Sequence, residues 1–183
     1  MGRLAELGNS AVLAVDIQPR FLAPIQGAAS VVSRSRFVLE CARVLGVPIL
    51  GSEQIPDRMG GTCDELADLL PATFGKGRFS CAGEPAFEEW LTSTERTEVV
   101  LIGIETPICV MQTALDLLAR GVRVDVVEDA VGGRSIASHS AALERLRAAG
   151  AEVLHSESLV YEWMRTAEHP EFRSILSLVK AHA

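Results

Sequence analysis

The stretch that decides the fold is Val99-Val100-Leu101-Ile102-Gly103-Ile104-Glu105-Thr106-Pro107-Ile108-Cys109-Val110-Met111-Gln112-Thr113-Ala114. Its apolar, β-branched first half predicts a buried strand, ended near Gly103. Thr106 followed by Pro107 has the pattern of a helix N-cap and first helical residue. That places Cys109 in the first turn of the next helix, just past the carboxyl end of a strand. Free N–H groups and the positive helix end favour thiolate over thiol there. Ligands of open α/β sheets bind at the same edge. Cys109 is therefore a candidate nucleophile, although cysteine also serves as a small packing residue at such junctions.

Outward from this stretch, strand and helix patterns alternate. Strands are predicted at 11–15, 47–50, 99–104, 122–127 and 151–154. Helices are predicted at 28–45, 64–70, 85–91, 108–120, 135–149, 156–164 and 171–180. Gly121 and Gly150 close two of them, as C-terminal glycines do. Strands separated by helices imply a three-layer α/β/α sandwich around a mostly parallel, Rossmann-like sheet. With 183 residues, 48% of them hydrophobic, and no linker or repeat, a single domain over 1–183 is expected. Segments 52–62 and 73–83 read as irregular loops at the carboxyl side of the sheet, where site loops belong.

The net charge of −7 comes without a basic cluster, which argues against nucleic acid as a partner. No apolar run is long enough to span a bilayer, and the first residues lack the apolar stretch of a secretory signal. A cytoplasmic protein with no membrane partner is expected. Gly2 does not read as a myristoylation site, since position 6 is Glu. Cys41, Cys63, Cys81 and Cys109 show no C-x-x-C spacing, so neither a zinc ribbon nor a thioredoxin-type site is indicated. The four histidines, His139 among them, read as surface or packing residues.

Two further residues have chemical potential. Asp16 ends the strand in Leu13-Ala14-Val15-Asp16-Ile17-Gln18, and a carboxylate there needs either a partner or a task. It fits a general base or a loop-capping Asp. Lys76, in Gly75-Lys76-Gly77-Arg78-Phe79-Ser80, fits a cation that orients a carboxylate or steadies a thiolate.

Together these residues resemble one family. The Asp16-Ile17-Gln18 opening with Phe21, Lys76 with Phe79-Ser80, and Gly103-Ile104-Glu105-Thr106-Pro107-Ile108-Cys109-Val110 are similar to the motifs of isochorismatase-like cysteine hydrolases, in the same order. Arg120-Gly121 and Val126-Val127-Glu128-Asp129-Ala130 extend the resemblance over essentially the whole chain. It implies a triad of Asp16, Lys76 and Cys109. It also implies a cis peptide at Ile104–Glu105, where the residues alone point to Thr106–Pro107. The N–H groups of Glu105 and Cys109 would then form an oxyanion hole. Gln18, Phe21, Gln54, Thr106 and Arg134 are candidates for touching substrate or supporting the triad.

Departures from subfamily patterns narrow the expectation. The Asp-x-His metal motif of nicotinamidases is missing from Gly51-Ser52-Glu53-Gln54-Ile55-Pro56-Asp57-Arg58-Met59-Gly60. No metal and no cofactor are therefore expected. A cysteine at 109 favours C–N hydrolysis over the vinyl-ether cleavage of isochorismate. The loop resembles the branch named isochorismatase domain-containing proteins. The expected activity is hydrolysis of an amide-like bond in a small molecule through a Cys109 thioester. The alternatives are a vinyl-ether hydrolase and a non-catalytic binding protein. The helix after Cys109 carries Ile108, Val110, Met111, Ala114, Leu115, Leu117 and Leu118, apolar over more than one face. Either a second copy of the chain or the C-terminal helix must cover the surplus. A homo-oligomer is expected.

Overall fold

The computed structural model describes residues 3–182. The reading of Gly2 thus lies outside the described residues. Nine α-helices and six strands are found among them: β1 Ser10–Val15, α1 Pro19–Leu22, α2 Ala28–Leu45, β2 Ile49–Gln54, α3 Pro56–Met59, α4 Asp64–Ala67, β3 Thr73–Lys76 and α5 Pro85–Thr94. Then follow β4 Glu98–Ile104, a π-helical turn Thr106–Val110, α6 Met111–Ala119, β5 Arg123–Gly132, α7 Ile136–Ala149, β6 Glu152–Leu154, α8 Ser156–Met164 and α9 Phe172–Ala181.

The strands form one parallel sheet in the order β3-β2-β1-β4-β5-β6. β1 and β4 are buried along their whole length, as central strands covered on both faces must be. One apolar layer joins the sheet to α2, α8 and α9 through Phe37, Val38, Leu39, Trp163 and Ile175. The other joins it to α5, α6 and α7 through Phe87, Ala114, Leu117, Leu143 and Leu146. The chain winds outward from β1 to β3, then crosses back to place β4 on the other side of β1. The β1/β4 pair is thus the switch point of the sheet, and a crevice opens beyond its carboxyl ends.

Gly103 shapes that crevice. It pairs with Val15 across the two strands and has φ +109°. A Cβ there would stand 2.1 Å from the Val15 carbonyl oxygen, so only glycine permits this approach. The β4–β5 register then jumps, from Leu101 opposite Val126 to Gly103 opposite Val131. β5 consequently runs five residues past its predicted end.

The structure corrects two readings of the sequence. Residues 73–76, expected as loop, form the edge strand β3. The C-terminal helix packs on α2, with the Phe37 and His182 rings 5.5 Å apart, and not on the helix after Cys109.

Candidate active site

Asp16 leaves β1 with φ +50°, a left-handed turn that Asp tolerates better than most residues. The turn sets its carboxylate over the carboxyl ends of the central strands. Ser52, from β2, donates its hydroxyl to Asp16 Oδ1 at 2.7 Å. The Lys76 ammonium donates to Oδ2 at 2.7 Å. Lys76 is the last residue of β3, and its side chain is fully buried. Its Nζ also meets Gln54 Oε1 at 2.6 Å and the carbonyls of Phe79 and Arg78 at 3.0 and 3.2 Å. Burial by itself would lower the lysine pKa. The Asp16 carboxylate, with help from the thiol groups of Cys81 and Cys109, outweighs it and keeps the group cationic.

Cys109 lies within the π-helical turn, where the Val110 N–H donates back to the Glu105 carbonyl at 3.2 Å. Such turns recur at functional sites. Burial, then the Asp16 charge, pushes the Cys109 thiol up, and a hydrogen bond to Asp16 acts in the same direction; Lys76 opposes them. This corrects the expectation of a thiolate at a helix end: the resting group is a thiol whose proton faces a carboxylate. The peptide at Ile104–Glu105 is cis.

A pocket of about 340 Å³ opens above these groups, lined by Asp16, Phe21, Gln54, Phe79, Ile104, Glu105, Ile108 and Cys109. Phe21, Gln54 and Glu105 thus fall where expected. Three other candidates do not line it. Gln18 is a clamp: it accepts from the Gln54 N–H at 2.7 Å and donates to the carbonyls of Gln54 and Gly60 at 3.2 and 2.6 Å. Thr106 makes no cap, because the π-turn carries it inward. It is fully buried, with Oγ1 2.9 Å from His139 Nδ1. Arg134 is exposed and pairs through Nε with Glu105 Oε2 at 2.9 Å.

The sequence reading missed Ser52, the wall residues Phe79, Ile104 and Ile108, and the inward role of His139. Ser52 had one signal, a hydroxyl inside an otherwise apolar strand. Cys81, given no role from sequence, is buried near Lys76 and Asp16, where burial above all raises its pKa to about 11. Among the described residues no group of three or more His, Cys, Asp or Glu side chains is placed to hold a metal ion.

Residues 10–158 match the isochorismatase domain. The chain belongs to the isochorismatase family. It is similar to isochorismatase domain-containing protein 1 of Salmo salar, with 38% identity over 92% of this chain, and spans about 60% of that relative's length. It is 37% identical to the secreted isochorismatase effector Isc1 of Phytophthora sojae, over 100% of this chain and 89% of the relative. Among solved structures, the MAR1 ribonuclease of Caenorhabditis elegans superposes with a TM-score of 0.92 and 32% identity, covering 97% of this chain and 93% of that one. The isochorismatase-like fold and the branch expected from the loop after β2 are thereby shown. The family is one of hydrolases.

Proposed function

We propose that this isochorismatase-family chain is a cysteine hydrolase that cleaves an amide-like C–N bond of a small molecule. The observation that carries the reading is the meeting of Asp16, Lys76 and Cys109, from β1, β3 and the turn after β4, at the floor of one pocket. As the sulfur attacks a carbonyl carbon, its proton passes to Asp16. Lys76 stays protonated, holding the carboxylate in place and balancing the developing charge. The N–H groups of Glu105 and Cys109 receive the oxyanion. Asp16 returns the proton to the leaving amine, and water then cleaves the thioester. No step needs a metal or cofactor.

The name ribonuclease belongs to the worm protein. Here no lysine or arginine is among the residues lining the pocket, and the chain is acidic overall. These features favour a small substrate over a polyanion. All four cysteines are free, which suits a reducing compartment and supports a cytoplasmic address. No helix among the described residues is long and apolar enough to cross a membrane.

Self-association belongs to the same proposal. Ile108, Met111, Leu115 and Leu118 are only partly buried, and α9 lies on the far side of the sheet. A second copy covering this face predicts a mass in light scattering well above the 19.6 kDa of one chain. A value of 19.6 kDa would refute it.

The deciding experiment offers a library of small primary amides and follows ammonia release, with mass spectrometry of the quenched protein. Acyl adducts on Cys109 are expected. Turnover that survives Cys109→Ala would overturn the mechanism.

A further inference from the structure

The polar groups that line the pocket are not equally free. Both Asp16 oxygens are engaged, by Ser52 and by Lys76. Gln54 is engaged at both ends, accepting from Lys76 and donating Nε2–H to the Gly77 carbonyl at 2.9 Å. Glu105 is different. Arg134 Nε holds its Oε2, and among the described residues Oε1 has no donor. The Glu105 side chain is 14% exposed, whereas Arg134 is 59% exposed and does not line the pocket. The remaining walls are two phenylalanine rings and two isoleucines, Phe21, Phe79, Ile104 and Ile108. A half-buried carboxylate with an open acceptor, set among aromatic faces, attracts positive charge by Coulomb and cation–π terms together. It repels a carboxylate, and no cation on the pocket wall offsets that.

We propose that this pocket selects small amides carrying an ammonium or other cationic nitrogen away from the scissile bond, with Glu105 as the specificity-determining residue. This rests on the hydrolase reading and adds the substrate class to it. Arg134 acts from outside. It fixes the carboxylate in one orientation and leaves Oε1 to the ligand.

Two measurements on the full chain test it. In the first, three methanethiosulfonate reagents with aminoethyl, methyl and sulfonatoethyl groups compete for Cys109. The sulfur displaces methanesulfinate to form a disulfide, and the thiol proton leaves with the buffer. Peptide mapping gives the rate at Cys109, normalised to the rate of each reagent with glutathione. The cationic reagent is expected to be about tenfold faster than the anionic one, equivalent to roughly 1.4 kcal/mol. Glu105→Gln should level the ratio, and Arg134→Gln should raise it. In the second, benzylamine and benzoate are compared by thermal shift. Only benzylamine should raise the melting temperature, and Glu105→Gln should abolish the rise.

Equal rates and equal shifts in the native chain would overturn the assignment. So would an anionic preference lost in Arg134→Gln, which would transfer recognition to the guanidinium. The two readings fail separately. A Cys109 that no reagent modifies counts against the hydrolase, while the benzylamine arm still decides the charge preference.

Discussion

The central strands carry a buried charge cluster at each end, and the two clusters differ in what they leave open. At the carboxyl end, Asp16 and Lys76 meet the Cys109 thiol beneath a pocket. At the amino end, Glu98 opens β4 fully buried, and Asp125 lies two residues into β5, 1% exposed. There Arg3 reaches both carboxylates, with Nη2 2.8 Å from Asp125 Oδ1 and Nη1 on Glu98 Oε2. Glu98 Oε1 accepts from the Ser10 hydroxyl at 2.5 Å, and the Trp163 indole N–H donates to the same hydroxyl at 2.9 Å. Every partner named at this end is another part of the chain, so the cluster ties the N-terminal segment and α8 to the sheet. Buried charge alone does not mark a site. What distinguishes the carboxyl end is a reactive group facing the carboxylate and space for a ligand above it.

The largest expected effect tests that distinction directly. Cys109→Ala removes the nucleophile and little volume, so the fold should persist while turnover drops by about 10⁴-fold or more. Circular dichroism together with the ammonia assay checks both halves. Next comes Lys76→Met. It strands Asp16, 3% exposed, without its cation, and breaking a buried pair in this way costs about 3–5 kcal/mol. Urea unfolding should show the loss. Arg3→Ala at the other end removes a side chain that is 25% exposed, so its cost should be smaller, and Cys109 reactivity should not change. A comparable loss from both would erase the contrast between the ends. Gly103→Ala lies between them: a methyl 2.1 Å from the Val15 carbonyl must force β1 and β4 apart. We expect about 2 kcal/mol or more of lost stability, and slower Cys109 modification because the crevice shifts.

The carboxyl end was more legible in the sequence than the amino end, for physical reasons. Long β-branched runs at 11–15 and 99–104 can only be buried strands, so the sheet and its helical layers followed. Asp16 and Cys109 stood out because each breaks such a run at its end. Lys76 did not stand out by itself. Thr73-Phe74-Gly75-Lys76 is a four-residue edge strand containing a glycine, and its pattern matches a loop equally well. The resemblance, not the periodicity, singled it out. Glu98 and Asp125 left no signal, since one charged residue at a strand start reads as a solvated terminus. Arg3 turns them inward across more than ninety residues of sequence. The state of Cys109 was misread because position along a helix speaks of the dipole alone, whereas burial and the Asp16 charge are tertiary.

The smallest expected effect concerns pH. Burial first, then the Glu98 charge, pushes the Asp125 carboxyl up to about 7, with Arg3 pulling against them. In the unfolded chain this group titrates near 3.9. Between those values the folded protein holds a proton that the unfolded chain has released. The stability gained from that proton is present at low pH and is lost as pH rises through about 7. Asp125→Asn keeps an acceptor for Arg3, supplies a permanent donor toward Glu98, and cannot titrate. The variant should match the native chain near pH 5 and melt a few degrees higher near pH 8, where the native pair carries two charges. Calorimetry at the two pH values checks the slope. An unchanged slope would move the titrating proton to Glu98, and Glu98→Gln would then remove it. Cys109 modification should be the same in Asp125→Asn and the native chain at both pH values. A change there would mean that the amino-end cluster, more than a strand's length away, biases the nucleophile through β4, and the division between a structural end and a reactive end would fail.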